Sequence, residues 1–216
     1  MSREILSPRR CLIDPIPEIS DAAIMLDAAV SAHLRGDALE AERLLRLADM
    51  PLIAEWTESM WGRSHMMPAA KASDAPFLPK DQRVPARMPT KEQKRMLHER
   101  DGYHCRFCGI PVIRVEIRNK LRSLYPSAVR WGKTNAEQHA ALQAMWAQYD
   151  HVLPHARGGD NSLENVIVTC APCNFARMNS MVGEVGLLDP RGYDPVRSNW
   201  DGLERLISRA IVQRVV

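Results

Sequence analysis

Tyr149-Asp150-His151-Val152-Leu153-Pro154, followed nineteen residues after His151 by Cys170-Ala171-Pro172-Cys173-Asn174, is the stretch on which the fold turns. An upstream segment, Tyr103-His104-Cys105-Arg106-Phe107-Cys108-Gly109, supplies a second CxxC pair. Four cysteines in two such pairs fit a closed tetrahedral structural zinc with no open coordination position. In a cytosolic chain paired cysteines read as metal ligands before disulfides. Zinc held by Cys105, Cys108, Cys170 and Cys173 is therefore expected, with Gly109 turning the first pair so that both thiolates face one metal. Cys11 is left over as a free thiol. The pairs are separated by 61 residues, so residues 110–148 read as an insertion.

Between the pairs lie Asp150-His151, then Arg157-Gly158-Gly159-Asp160-Asn161-Ser162-Leu163-Glu164-Asn165, then Val166-Ile167-Val168. The pattern predicts a strand, a glycine-bearing loop, a second strand and a helix beginning near Cys170. His151 accepts a proton near neutral pH and is the candidate general base. Asp150 offers a carboxylate oxygen and Asn174 an amide oxygen, both suited to Mg²⁺ or Mn²⁺. Phosphodiester hydrolysis needs both parts, an activated water and a cation on the oxygens that gain charge. Adjacent strand residues point to opposite faces, so Asp150 and His151 share a direction only if the strand twists or bulges. Arg177, one helical turn after Asn174, and His155, four residues past His151, are candidate phosphate contacts.

These residues resemble the HNH endonuclease family, whose core reads DH..P...GG....EN...C..CN..R or K. Asp150, His151, Pro154, Gly158, Gly159, Glu164, Asn165, Cys170, Cys173, Asn174 and Arg177 occupy its positions. The last motif position is Asn rather than His, which resembles the HNN variant. The resemblance covers residues 100–182 at most. It implies a ββα-metal (His-Me finger) core stapled by zinc; with the N-terminal helical region read from residues 1–67, the expected fold is an α+β, mainly helical chain. The resemblance also implies a metal on the leaving-group side of the phosphate, held by Asp150 and Asn174, with the His151 imidazole on the water side. Asn165 matches the middle Asn, which braces the loop carrying the base.

The rest of the chain gives organisation. The 216 residues carry 29 Lys/Arg and 26 Asp/Glu, a net charge of +3, but residues 80–133 hold 14 basic against 5 acidic side chains. Such a basic middle suits a polyanion, and Lys94, Arg95, Arg106 and Arg157 join Arg177 and His155 as candidate nucleic-acid contacts. Helices are expected over Asp21–Arg35, over Ala38–Ala48 capped by Asp37, and from Pro51 through Trp56 and Trp61. Five prolines mark residues 68–89 as an extended linker. Thr90 and Gln93 form a capping box for a basic helix. Val112–Ile117 reads as a strand. A helix capped by Thr134 and Glu137 is expected to carry Leu142, Met145, Trp146 and Tyr149 as one stripe. The domains expected are thus a helical region 1–67, the linker 68–89, a nuclease domain 90–185 and an extension 186–216. Leu203, Leu206, Ile207, Ala210 and Ile211 mark an amphipathic terminal helix, which either docks or makes a homodimer contact.

No apolar run approaches the roughly 18 residues of a membrane helix, and the first ten lack the apolar core of a signal peptide, so a cytoplasmic location is expected. The leading expectation is a metal-dependent endonuclease acting on double-stranded DNA. The alternative is a zinc module that binds nucleic acid without cutting it. Residues 1–67 could in either case engage a protein partner, by analogy with the small nucleases of restriction, phage packaging and antiphage defence that the chain resembles.

Overall fold

The computed structural model describes residues 9–61 and 75–208. Three helices open the chain: α1 (Pro17–Leu34), α2 (Ala38–Leu47) and α3 (Pro51–Met60). The first begins four residues earlier than its apolar pattern suggests, because Pro17 sits in the first helical turn, where its fixed φ helps and its missing N–H is not needed. Gly36 breaks the chain at φ +89°, and the Asp37 side chain then accepts from the Glu40 amide at 3.0 Å to cap α2. Trp56 on α3 donates its indole N–H to the Asp14 carbonyl, pinning the chain before α1.

Residues 75–89 are extended except for a single 3-10 turn at Lys80–Gln82. They are not a free spacer: the Leu78 amide donates to the Ala156 carbonyl at 2.9 Å, and Arg157 donates to the Ala75 carbonyl. This strap leads into α4 (Lys91–Asp101), which has the expected reciprocal capping box between Thr90 and Gln93 and stops at Gly102 in the left-handed region. Such a cap contributes about 1 kcal/mol.

Two expectations are corrected in the insertion. The Val112–Ile117 segment is not a strand. It makes isolated bridges at Pro111 and Ile113, then turns into helix α5 (Val115–Leu124). Val112 and Ile113 are buried ahead of the helix, while Ile117 and Leu121 form the α5 buried face and are nearly fully covered. The helix foreseen after Thr134 is a 3-10 turn at Asn135–Glu137 followed by the five-residue α6 (Ala140–Ala144), and Tyr149 belongs to the next strand. His139, which carried no signal in the sequence, caps α6: its Nδ1 accepts from the Leu142 amide while its other nitrogen donates to the Leu45 carbonyl of α2.

Strand β1 (Ala147–His151) pairs antiparallel with β2 (Val166–Cys170), Asp150 opposite Ile167 and His151 opposite Val166. Helix α7 (Ala171–Arg177) follows β2 with no intervening loop, and Pro172 stands in its first turn. The chain then winds back over the core to the short α8 (Arg205–Ser208). There Leu203 and Leu206 are buried, and Glu204 accepts two bonds from Arg114, the residue before α5. The described part of the terminal segment is thus docked; Ala210 and Ile211 lie outside the described residues. One continuous hydrophobic core joins α1–α3 to the hairpin and α7. No helix among the described residues is long and apolar enough to cross a membrane.

Candidate active site

The four cysteines expected to bind zinc come together from two places. Cys105 and Cys108 sit on the turn after α4, where Gly109 at φ +77° lets its own amide return to the Cys105 carbonyl. Cys170 ends β2 and Cys173 lies in the first turn of α7. All four sulfurs lie within 4.8 Å of one another, and three of the residues are buried. The Cys108 and Cys170 sulfurs are 3.6 Å apart. A tetrahedral zinc with sulfurs at about 2.3 Å sets them about 3.8 Å apart, so the cluster fits such an ion. Burial and hydrogen bonds from Cys105 and Cys108 hold the Cys170 thiol well above its ordinary range. A cation in the cluster reverses that tendency by binding the thiolates. The Arg106 amide, between the first pair, donates to the Val168 carbonyl, so the knuckle also clamps β2 directly.

The hairpin loop is held by Asn165. Its Oδ1 accepts from the Leu153 amide at 2.8 Å, and its Nδ2 donates to the Leu153 and Asp160 carbonyls. Gly159 makes this closeness possible: a Cβ there would stand 1.8 Å from the Leu153 carbonyl oxygen. No substitution at that position fits without moving the loop.

Asp150, His151 and Asn174 line one cleft of about 570 Å³. The Asp150 and His151 side chains have separate partners within it, as strand alternation requires. Asp150 is buried against α7, where both of its oxygens accept from Arg177. His151 Nε2 instead meets Oδ1 of Asn161 in the loop at 2.9 Å. Asn174 is half-buried on α7, and its side-chain amide has no partner among the described residues. Burial pushes the His151 imidazole below its ordinary pKa, against the opposing pull of the Asn161 bond and the Asp150 charge. The ring is therefore neutral at physiological pH and able to accept a proton. Burial likewise raises the Asp150 carboxyl, opposed by the attraction of Arg177.

Three expected nucleic-acid contacts are corrected. Arg177 is completely buried; besides Asp150 it bonds the His151 and Ser180 carbonyls. Arg106 is buried and spends its guanidinium on the Pro190 and Tyr193 carbonyls. Arg157 has a side chain only 9% exposed, bonded to Ala75, Asn179 and Glu184. Each of these guanidiniums already has the partners a phosphate would supply. Arg95 is exposed but paired with Glu92 and Glu99. Lys94 lies 4.9 Å over the Tyr149 ring beside the cleft, and His155 lines the cleft with Nε2 bonded to the Val84 carbonyl at 2.8 Å.

Sequence reasoning missed Asn161 and the strap, which contributes Lys80, Arg83, Val84, Pro85, Arg87 and Met88 to the cleft wall. The only available signal for the strap was its share of the basic segment. Lys80 and Arg87 are exposed, with no ion pair among the described residues.

A two-stranded hairpin running straight into a helix, with Asp and His on the first strand and Asn on the helix, defines a ββα unit beside a four-cysteine cluster. Residues 138–180, which hold the hairpin and α7, match the family model of the HNH endonuclease. That likeness points to a nuclease of the general kind, a class that acts on nucleic acid. No curated protein and no solved structure matches the chain significantly.

Proposed function

We propose that the protein is a metal-dependent endonuclease that hydrolyses phosphodiester bonds in DNA. The observation that carries this reading is the meeting of Asp150, His151 and Asn174 in one cleft next to the cysteine cluster. Asp150 and Asn174 would hold one divalent ion, Mg²⁺ or Mn²⁺, which when bound supplies positive charge to the phosphate oxygens. Each Asp150 oxygen keeps a lone pair beyond the one given to Arg177, so the ion pair leaves room for a metal bond. Two protein oxygens suit a cation that usually keeps several waters and bridges to phosphate.

His151 takes a proton from water, whose oxygen attacks phosphorus. The bond to the leaving oxygen breaks, and that oxygen is finally protonated from solvent. Cys105, Cys108, Cys170 and Cys173 would hold a zinc that takes no part in the reaction, and together they would keep β2, α7 and the α4 turn in register. Lys80, Arg87 and Lys94 supply backbone affinity with little sequence information, and their contribution weakens with salt.

The test is cleavage of supercoiled plasmid with Mg²⁺, Mn²⁺ or EDTA, with His151→Ala run alongside at equal zinc content. Metal-dependent nicking lost in the variant supports the reading. Cutting retained in His151→Ala overturns the assignment of the base. Binding without cutting under every divalent ion indicates a zinc module that only holds nucleic acid.

A further inference from the structure

Residues 83–88 lie outside the matched segment, yet one carbonyl of this strap reaches His155 and another reaches Asn161, the partner of His151. The Ala86 carbonyl meets the Asn161 side-chain amide. A carbonyl oxygen only accepts, so the nitrogen of that amide must face Ala86 and its oxygen must face His151. The amide oxygen, 2.9 Å from His151 Nε2, also only accepts. Nε2 must therefore carry the ring proton, which leaves the lone pair on Nδ1. Among the described residues no group bonds Nδ1, and His151 lines the cleft. The same strap treats the neighbouring ring alike: Val84 accepts from Nε2 of His155, whose ring centre is 5.9 Å from that of His151.

We propose that Asn161 is a positioning residue for His151, itself oriented by the Ala86 carbonyl, and that this relay commits His151 to the tautomer with Nδ1 as the proton-accepting atom. The inference rests on His151 as the base and deepens that reading by naming the nitrogen and the element that selects it. The relay does two things at once. It fixes the ring about χ2, and it denies Nδ1 a proton that would block the reaction. Partners that orient metal-bound histidines are worth roughly 10- to 100-fold in affinity or activity, and a loss of the same order is expected for this histidine base.

The experiment uses the full, zinc-loaded chain with ¹⁵N-labelled histidine, the His151 signals being assigned by their absence in His151→Gln. The wild type is expected to show a directly bonded proton on Nε2, slow to exchange with water. In Asn161→Ala that resonance is lost to exchange, and plasmid cutting falls roughly 10- to 100-fold in kcat with KM little changed. Asn161→Asp keeps an acceptor oxygen and should retain the Nε2 proton, which separates the relay from a general loss of loop structure. A glycine inserted between Pro85 and Ala86 displaces the carbonyl and should resemble Asn161→Ala. A proton found on Nδ1 in the wild type, or an Nε2 signal unchanged in Asn161→Ala, overturns the proposal, and a signal indifferent to the insertion overturns the role of the strap. The expected spectra in a protein that cuts nothing would instead reject the nuclease reading and leave the relay standing.

Discussion

Arg177 donates to both oxygens of Asp150 and to the His151 carbonyl from a fully buried position. Removing one member of such a pair strands the other charge away from water. Arg177→Met is expected to cost about 3–5 kcal/mol in denaturant unfolding, and Asp150→Asn in the same chain should recover part of it. Asn165→Ala breaks three loop bonds and orphans the Leu153 amide, for an expected loss of about 2–3 kcal/mol. His98 makes a separate prediction. It is buried beneath Tyr103 and Tyr149, and burial, helped by the nearby Arg114 charge, pushes its pKa down to about 3. Unfolded, the same side chain protonates near the usual 6.5. Between those values the unfolded state binds the extra proton, so stability falls as pH drops, by about 1.4 kcal/mol per pH unit. Urea midpoints measured from pH 7.5 down to 5 should fall more steeply in the wild type than in His98→Gln.

At the scale of elements, the hairpin and α7 depend on the cysteine cluster because β2 ends and α7 begins on two of its members. One zinc per chain is the expected metal content, and Cys173→Ser is expected to lose both the metal and plasmid cutting. Elemental analysis beside the cleavage assay checks this; full activity without zinc would reject the structural role. The hairpin, α7, the Thr90–Gln93 capping box and the Asp37 cap were legible in the sequence, because each is encoded by local spacing; of the Asp37–Glu40 box only the Asp37 half forms, the Glu40 carboxylate pairing with Arg43 instead. The α5 segment was not, because the apolar residues Val112, Ile113, Val115 and Ile117 suit either period over so short a run. Docking of the strap was also hidden. It rests on backbone carbonyls at Ala75, Val84 and Ala86, which every residue type possesses, so no side-chain pattern announces them. The same reason hid Asn161, whose role exists only once Ala86 is beside it. The burial of Arg177, Arg106 and Arg157 escaped notice because a basic side chain looks the same in sequence whether it faces solvent or a carbonyl.

Across the whole molecule, the N-terminal helices share one core with the hairpin and α7. Helix α3 packs on α6 and α7, Asp49 pairs with Arg130, and Leu45 takes the bond from buried His139. Trp61 and Trp146 both meet Phe175 edge-on, linking α3 and the β1 approach to α7. A chain starting at residue 75 would therefore expose the α6 and α7 faces and leave His139 short of a partner. It is expected to unfold at a markedly lower temperature or to aggregate, as light scattering and thermal denaturation would show. Equal stability of that fragment would instead mark residues 1–61 as a dispensable attachment.

The strap also bears on how this motif travels between proteins. The matched stretch is 43 residues long, yet backbone from residues 75–86 satisfies side chains in its loop. Grafting residues 138–180 into another scaffold would carry over every signature residue of the ββα core and still leave His155 and Asn161 without their strap acceptors and Arg157 with only Asn179 of its three partners. The heritable unit here is larger than the recognisable one, and an engineered chimera would need to bring the proline-rich approach along with it.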